Sequence, residues 1–127
     1  MSVSFDPEAS LIYVKARVYS VKGIYSLLLA LDLGASTTMI SRKRLKRFGY
    51  DLSANTETVR IITGSRVETS QTVIVDKLTA INQQRIDFPV LAHDLPPEAG
   101  IDGVLGLDFF RKQNLNIDFR KGLITLS

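Results

Sequence analysis

The sequence contains no cysteine and only one histidine, His93. Without cysteine the chain can form neither a disulfide bond nor a thiolate metal site, and it has no cysteine nucleophile. Because His93 lies in a predicted surface loop and no Gly-x-Ser-x-Gly segment is present, a serine hydrolase is a poor interpretation. A single histidine excludes a multi-histidine metal site, and the acidic residues lack calcium-loop spacing. No glycine-rich phosphate loop indicates a nucleotide site, so we expect no metal and no cofactor.

Long hydrophobic runs and a strong excess of charge are also missing. The longest apolar run, residues 27–31, is far shorter than the roughly 20 residues of a membrane-spanning helix, and residues 1–8 show no signal peptide. A formal net charge of +3 is too small to indicate nucleic-acid binding without a shaped basic patch. We expect one soluble domain over residues 1–127. It is expected to be cytoplasmic or otherwise intracellular and to bind neither nucleic acid nor membranes.

Strand signals dominate the chain. Apolar segments bounded by turn residues predict strands over residues 11–19, 24–31, 59–62, 67–75, 86–92, 115–119 and 123–126. A helix is predicted over residues 42–48, between an N-capping Ser41 and a left-handed Gly49. A second short helix is predicted over residues 107–112, where Asp108 is expected to complement the helix dipole. Many short strands with one or two helices predict a mostly β, barrel-like domain.

Asp32 is the leading candidate for a catalytic side chain. It directly follows an apolar strand, where a carboxylate is costly unless it is paired, hydrogen-bonded or protonated. Gly34 allows the chain to turn sharply and presents backbone N–H groups that can hold the carboxylate. Ala35 and Ser36 are small enough for a close approach. On these residues alone, a turn aspartate that caps its own loop explains the pattern equally well.

Two further motifs accompany this loop and carry a resemblance to a known family. The segment from Asp32 to Ser36 resembles the Asp-Thr/Ser-Gly-Ala/Ser active-site loop of retropepsin-like (retroviral-type) aspartic proteases. Later in the chain, Val104, Leu105 and Gly106 resemble the second hallmark of that family, two hydrophobic residues and a glycine that lead into the C-terminal helix. The resemblance implies that these three residues pack beneath the aspartate loop as support.

The resemblance also covers the segment between the two motifs. A hairpin with Thr63, Gly64 and Ser65 at its turn lies where the family has its flap, which closes over substrate and excludes water. The resemblance therefore implies a retropepsin-like closed β-barrel, the acid protease fold, with a flap hairpin. A plain hairpin turn explains Gly64 equally well.

The resemblance implies how Asp32 obtains a partner. Single-domain members of the family build one active site from two aspartate loops, one from each subunit of a symmetric dimer, and this sequence has only one such loop. It therefore implies a homodimer with an Asp32/Asp32 dyad that activates water and hydrolyses peptide or protein substrates. In the family, terminal strands interleave in the dimer sheet, and residues 123–126 and 2–5 are the candidates here.

Two positions of the loop separate alternative functions. Leu33 occupies the position where the family usually has Thr or Ser, whose hydroxyl braces the two loops across the dimer. Without that hydroxyl, the chain is either a protease braced by apolar contact or an inactive dimerisation or peptide-binding module. Ala35 offers no hydroxyl to hydrogen-bond the carboxylate, so we expect a milder pH optimum than in relatives with Ser there.

Overall fold

The structure is a computed structural model that describes residues 1–52, 58–63 and 66–127, with side chains described outside residues 53–69. In this part of the chain ten strands accompany one α-helix, α1 (Arg42–Arg47), and two 3₁₀ turns, Pro97–Ala99 and Leu107–Phe109. The strands are β1 (Ser2–Ser4), β2 (Tyr13–Ser20), β3 (Gly23–Leu31), β4 (Met39–Ser41), β5 (Thr58–Thr63), β6 (Arg66–Ala80), β7 (Gln83–His93), β8 (Gly103–Leu105), β9 (Leu115–Asp118) and β10 (Leu123–Leu126). None of the described helices is long and apolar enough to cross a membrane.

Six of these strands form a closed barrel. They hydrogen-bond in the order β2-β3-β8-β4-β7-β6, and β2 pairs with β6 to close the ring. β5 lies outside the ring and pairs with β6, while β1, β10 and β9 form a separate three-stranded sheet. The predicted mostly β, closed barrel is therefore the observed architecture.

The barrel interior is filled by every second side chain of its strands, as β2 illustrates. On β2 the alternate residues Val14, Ala16 and Val18 are buried, and each is followed or preceded by an exposed charged residue. A strand with this period presents one face to the core and one to solvent. From the second sheet, Ile124 is fully buried against the same core. The hydrophobic pattern thus sets which face of each strand lines the interior.

Strand β8 brings a segment from late in the chain beside the end of β3. β8 lies between β3 and β4 and pairs in parallel with β3, with Leu29 opposite Gly103 and Leu31 opposite Leu105. On its other side it pairs antiparallel with β4. A segment more than seventy residues away in sequence therefore runs beside the chain at the point where β3 ends.

Helix α1 confirms the predicted caps. The Ser41 side chain accepts a hydrogen bond from the backbone N–H of Arg44 at 3.4 Å, and the helix ends with Phe48 as its C-cap. Gly49 follows with φ of 100°, in the left-handed region where glycine carries no steric penalty. The side chain of Phe48 is buried and stacks on Tyr25, with ring centroids 4.5 Å apart.

Three sequence predictions are wrong in detail. The helix predicted over residues 107–112 is a 3₁₀ turn limited to Leu107–Phe109, and Lys112 has φ of 65°, which no α-helix accommodates. The strands predicted over residues 67–75 and 86–92 extend to meet at a two-residue turn of Ile81 and Asn82, both with positive φ. Asparagine is common at positive φ but isoleucine is rare there, so the Ile81–Asn82 pair is a weak turn signal.

His93 is the third of these differences. It is the last residue of β7 rather than part of a surface loop. Its Nδ1 atom lies 3.0 Å from the hydroxyl oxygen of Ser70, which is itself buried. The histidine therefore connects the end of β7 to β6.

The crossing of β8 and β4 generates a stability prediction. A Cβ atom added at Gly103 would lie 2.0 Å from the carbonyl oxygen of Met39 and 3.0 Å from the Cα atom of Ile40. Since both atoms are backbone, the strands must separate, and we expect Gly103→Ala to lower the free energy of unfolding by at least about 3 kcal/mol.

Gly100→Ala is the control for this substitution. Gly100 has φ of 71° but no described atom within 4 Å of an added Cβ, so the expected cost is only about 1–2 kcal/mol of backbone strain. Urea denaturation followed by circular dichroism measures both values. Equal losses in the two variants would contradict the close approach of β8 to β4.

Candidate functional site

The predicted aspartate lies at the end of β3, in the loop of residues 32–38 that we call the Asp32 loop. The backbone N–H of Asp32 donates to the carbonyl oxygen of Leu105 at 3.0 Å. Its own carboxylate oxygen Oδ1 accepts from the N–H of Gly34 at 2.9 Å, and its carbonyl oxygen accepts from Ala35 at 3.2 Å. The aspartate therefore caps its own turn, and the hydrogen bond to Leu105 fixes where that turn begins.

Residues 105–108, which we call the supporting segment, run beneath the loop. The N–H of Leu107 donates to the carbonyl oxygen of Ala35 at 2.8 Å. A Cβ atom at Gly106 would lie 2.8 Å from the Ala35 oxygen and 2.8 Å from the carbonyl carbon of Thr37. Glycine is thus required here because the two backbones touch. Leu105 is fully buried, while Val104 is half-buried on β8.

The loop ends at Thr38, whose side chain is fully buried. Its N–H donates to both carboxylate oxygens of Asp108, at 3.0 and 3.1 Å, and its hydroxyl donates to Asp108 Oδ1 at 2.7 Å. The same hydroxyl accepts from the N–H of Gly106 at 3.0 Å. Asp108 lies in the first turn of the 3₁₀ element Leu107–Phe109, and its carboxylate also binds the end of the Asp32 loop, a contact that the sequence did not predict.

Asp102 has a related role at the other end of β8. Its Oδ2 atom accepts from the N–H of Leu28 at 2.8 Å, and its N–H donates to the Leu28 carbonyl oxygen at 2.7 Å. The Nε atom of Arg44 lies 3.5 Å from Asp102 Oδ1, and Arg44 Nη2 donates to the carbonyl oxygen of Ser26. Asp102 therefore links β3, β8 and helix α1.

Arg85, on β7, binds the end of the 3₁₀ turn Leu107–Phe109. Its guanidinium donates to the carbonyl oxygen of Phe109 through Nε at 3.2 Å and Nη2 at 2.6 Å, and it also contacts the side chain of Gln113. The guanidinium carbon lies 4.4 Å from the centroid of the buried Phe109 ring. Partial burial lowers the pKa of Arg85 from its ordinary value. The 3₁₀ turn that carries Asp108 is thus tied to β7.

The tip of the Asp32 loop is open to solvent in the single chain. Asp32, Gly34 and Ser36 are exposed, and the Leu33 residue is 47% exposed. A groove of about 850 Å³ on β2, β3 and the turn between β6 and β7 does not include the loop. No group of three or more acidic, histidine or cysteine residues that could hold a metal occurs in the described part of the chain.

The predicted flap falls only partly within the described residues. β5 and β6 form an antiparallel hairpin in which Thr63 pairs with Arg66. Gly64 and Ser65, the predicted turn, lie outside the described residues. The flap assignment therefore stays a prediction.

Sequence reasoning found the Asp32 loop but not the residues that hold its far end. Thr38 and Asp108 are seventy positions apart, and neither sequence spacing nor periodicity joins them. One signal was available: Asp108 follows the Val104 to Gly106 hallmark by two residues. If the hallmark lies beneath the Asp32 loop, the carboxylate of Asp108 must lie close to that loop as well.

Comparison with known proteins defines the class of this architecture. The chain is similar to the crystal structure of a retropepsin-like aspartic protease from Rickettsia conorii, with a TM-score of 0.72 and 17% identity over 99% of this chain and 89% of that one. The sequence model described as "Aspartyl protease" matches residues 16–109. The chain therefore belongs to the aspartyl protease family and has a retropepsin-like fold. No curated protein sequence matches it.

Proposed function

We propose that the chain is an aspartic endopeptidase that forms a homodimer, in which Asp32 of each copy contributes to one catalytic dyad. The observation that carries this proposal is the exposed carboxylate of Asp32 on a loop hydrogen-bonded to the Leu105 carbonyl. The chain has one such loop. A two-fold symmetric dimer presents the same surface from both copies and can therefore bring two Asp32 side chains together.

The chemistry follows from that pairing. Two adjacent carboxyl groups cannot both ionise cheaply, so they share one proton and titrate as a pair. The ionised Asp32 accepts a proton from water, whose oxygen attacks the peptide carbonyl carbon, and the protonated Asp32 donates to the carbonyl oxygen. The C–N bond then breaks as the amine nitrogen takes up a proton. Substrates are peptides or proteins, and the reaction requires no metal or cofactor.

The residues around Asp32 have supporting roles in this proposal. Gly34, Ala35 and Ser36 keep the loop tip small, so that substrate can approach the carboxylates. Val104, Leu105 and Gly106 carry the loop from beneath. The β5–β6 hairpin, with Thr63, Gly64 and Ser65 at its turn, closes over substrate as a flap.

Leu33 distinguishes this proposal from its alternative. The residue is 47% exposed in the single chain, which supports packing against its symmetry mate in the proposed dimer. Leucine cannot form the hydroxyl bridge that is usual in the family, so the alternative is an inactive dimerisation or peptide-binding module with the protease fold. The alternative retains the dimer and lacks hydrolysis.

Asp32→Asn tests the catalytic role. We expect the purified wild type to cleave a mixture of unstructured peptides at mildly acidic to neutral pH. The cleavage rate of the variant should be lower by about 10²–10⁴-fold, because its amide can neither accept nor donate the required proton. Mass spectrometry of the products measures cleavage, and sedimentation equilibrium checks that the variant is still a dimer.

Asp94→Asn is the matched control, because the Asp94 side chain is 87% exposed and lies beside Arg42 rather than at the loop. It should retain the wild-type rate. Equal cleavage by wild type and Asp32→Asn would contradict the proposed mechanism. A dimeric but inactive wild type would favour the alternative module.

Leu33→Asp tests the dimer. Two aspartates facing each other across the two-fold axis repel, so the dissociation constant should rise by about a hundredfold or more. Leu33→Thr should remain a dimer because its hydroxyl can bridge the loops. Sedimentation equilibrium over a range of concentrations measures both constants.

Val21→Asp is the control, since Val21 is 92% exposed on the turn between β2 and β3. It introduces the same charge away from the Asp32 loop and should leave the dimer intact. A wild type that is monomeric at every concentration would contradict the shared dyad.

Ala35→Ser tests the expected pH dependence. A hydroxyl that donates to the ionised carboxylate favours the charged form and lowers the pKa of the dyad. The acidic limb of kcat/KM should therefore move to lower pH in Ala35→Ser and stay in place in Ala35→Val, which adds bulk without a donor. A pH–rate profile that is unchanged by the serine would exclude this role for residue 35.

A further inference from the structure

The network around Thr38 uses every hydrogen-bonding group of that residue. Its N–H and hydroxyl donate to the Asp108 carboxylate, and its hydroxyl oxygen accepts from Gly106. Its carbonyl oxygen accepts from the N–H of Leu91 on β7 at 2.9 Å. Since Thr38 has no exposed surface, the loss of any of these partners would leave a buried polar group unsatisfied.

The charge of Asp108 is compensated by these donors. The described ion pairs join Arg42 to Asp94 and Arg44 to Asp102, and neither includes Asp108. Hydrogen bonds to an ionised acceptor are shorter and stronger than neutral ones, in agreement with the 2.7 Å between the Thr38 hydroxyl and Asp108 Oδ1. The carboxylate therefore acts as a clamp on one residue, through two different donors.

Three residues of the supporting segment hold the Asp32 loop at three points. Leu105 binds its first residue, Asp32, and Leu107 binds Ala35 in its middle. Asp108 binds its last residue, Thr38. The first two points are backbone hydrogen bonds, which the absence of a side chain at Gly106 permits, whereas the third uses the carboxylate of Asp108 with both the N–H and the hydroxyl of Thr38. Of the three points, the third is the one that a change of side chain alone can remove.

We propose that Asp108 is a positioning residue for hydrolysis, which acts through Thr38 to fix the Asp32 loop in the geometry that the dyad requires. This inference rests on the proposed function for its effect on catalysis. The clamp fixes the Asp32 loop whether the chain is a protease or an inactive module. Neither residue touches substrate in this proposal, so the effect is on turnover rather than on binding.

Thr38→Val tests the clamp, because valine has the shape of threonine without its hydroxyl. We expect kcat to fall between about tenfold and a hundredfold, the cost of displacing a catalytic group by a fraction of an ångström to an ångström, with KM within about twofold of wild type. Thr38→Ser restores the hydroxyl and should recover most of kcat. Asp108→Asn keeps the shape and one acceptor oxygen, so it should give an intermediate loss.

Thr79→Val is the matched control. Thr79 lies on β6, and its hydroxyl has no hydrogen bond within the described structure, so kcat should not change. Every variant is assayed well below its own melting temperature, so that unfolding does not contribute to the rates. Wild-type kcat in Thr38→Val, even with a lower melting temperature, would show that the network is only structural and would overturn the proposal.

A second readout does not depend on activity. The amide N–H of Gly34 donates to the Asp32 carboxylate, so its ¹H–¹⁵N resonance reports the position of the loop. It should shift in Thr38→Val and Asp108→Asn, return toward wild type in Thr38→Ser, and stay unchanged in Thr79→Val. If the wild type cleaves nothing but this pattern appears, the proposed protease fails and the clamp stands. An unshifted Gly34 resonance in Thr38→Val and Asp108→Asn would overturn the clamp.

Discussion

The parallel pairing of β3 with β8 is the constraint on which the rest of the site depends. It aligns Leu31 with Leu105, so the chain leaves β3 at the level where the supporting segment begins. From there the two segments run together, and backbone hydrogen bonds join Asp32 to Leu105 and Ala35 to Leu107. A shift of β8 by one residue would exchange its buried and half-buried faces. The position of Asp32 is therefore a consequence of strand register as much as of loop sequence.

The parts of this structure that were predicted depend on short-range patterns. The period of two on β2, the Ser41 cap and the Asp32 loop can each be read within about ten residues of sequence. Two long-range contacts could not be predicted in this way: Thr38 with Asp108, and Leu28 with Asp102. Each joins residues about seventy positions apart, and both depend on the placement of β8, a strand of only three residues. The contact of Asp108, in the 3₁₀ turn Leu107–Phe109, with the distant Asp32 loop was missed for the same reason.

Leu33 shows why the fold and the activity of this chain are separate questions. Its side chain takes no part in the contacts that hold the loop, since those use the backbone of Asp32 and Ala35 and the side chain of Thr38. The loop geometry is thus compatible with leucine in the single chain. In the proposed dimer its effect would fall on the surface between the two copies, where an apolar contact without directional bonds would replace a hydroxyl bridge. Such a contact stabilises association but constrains loop orientation less tightly.

Three aspartates of this chain illustrate how surroundings assign different roles to one functional group. Asp102 and Asp108 are half-buried and accept the backbone N–H groups of Leu28 and Thr38, respectively. Their oxygens are engaged by these donors and, for Asp102, by Arg44. Asp32 accepts a single N–H, from Gly34, within the described structure and is otherwise exposed. Because a carboxylate can accept about four hydrogen bonds, the exposed Asp32, which takes part in none of the described ion pairs, keeps most of its acceptor capacity for water and, in the proposed dyad, for a second carboxyl group.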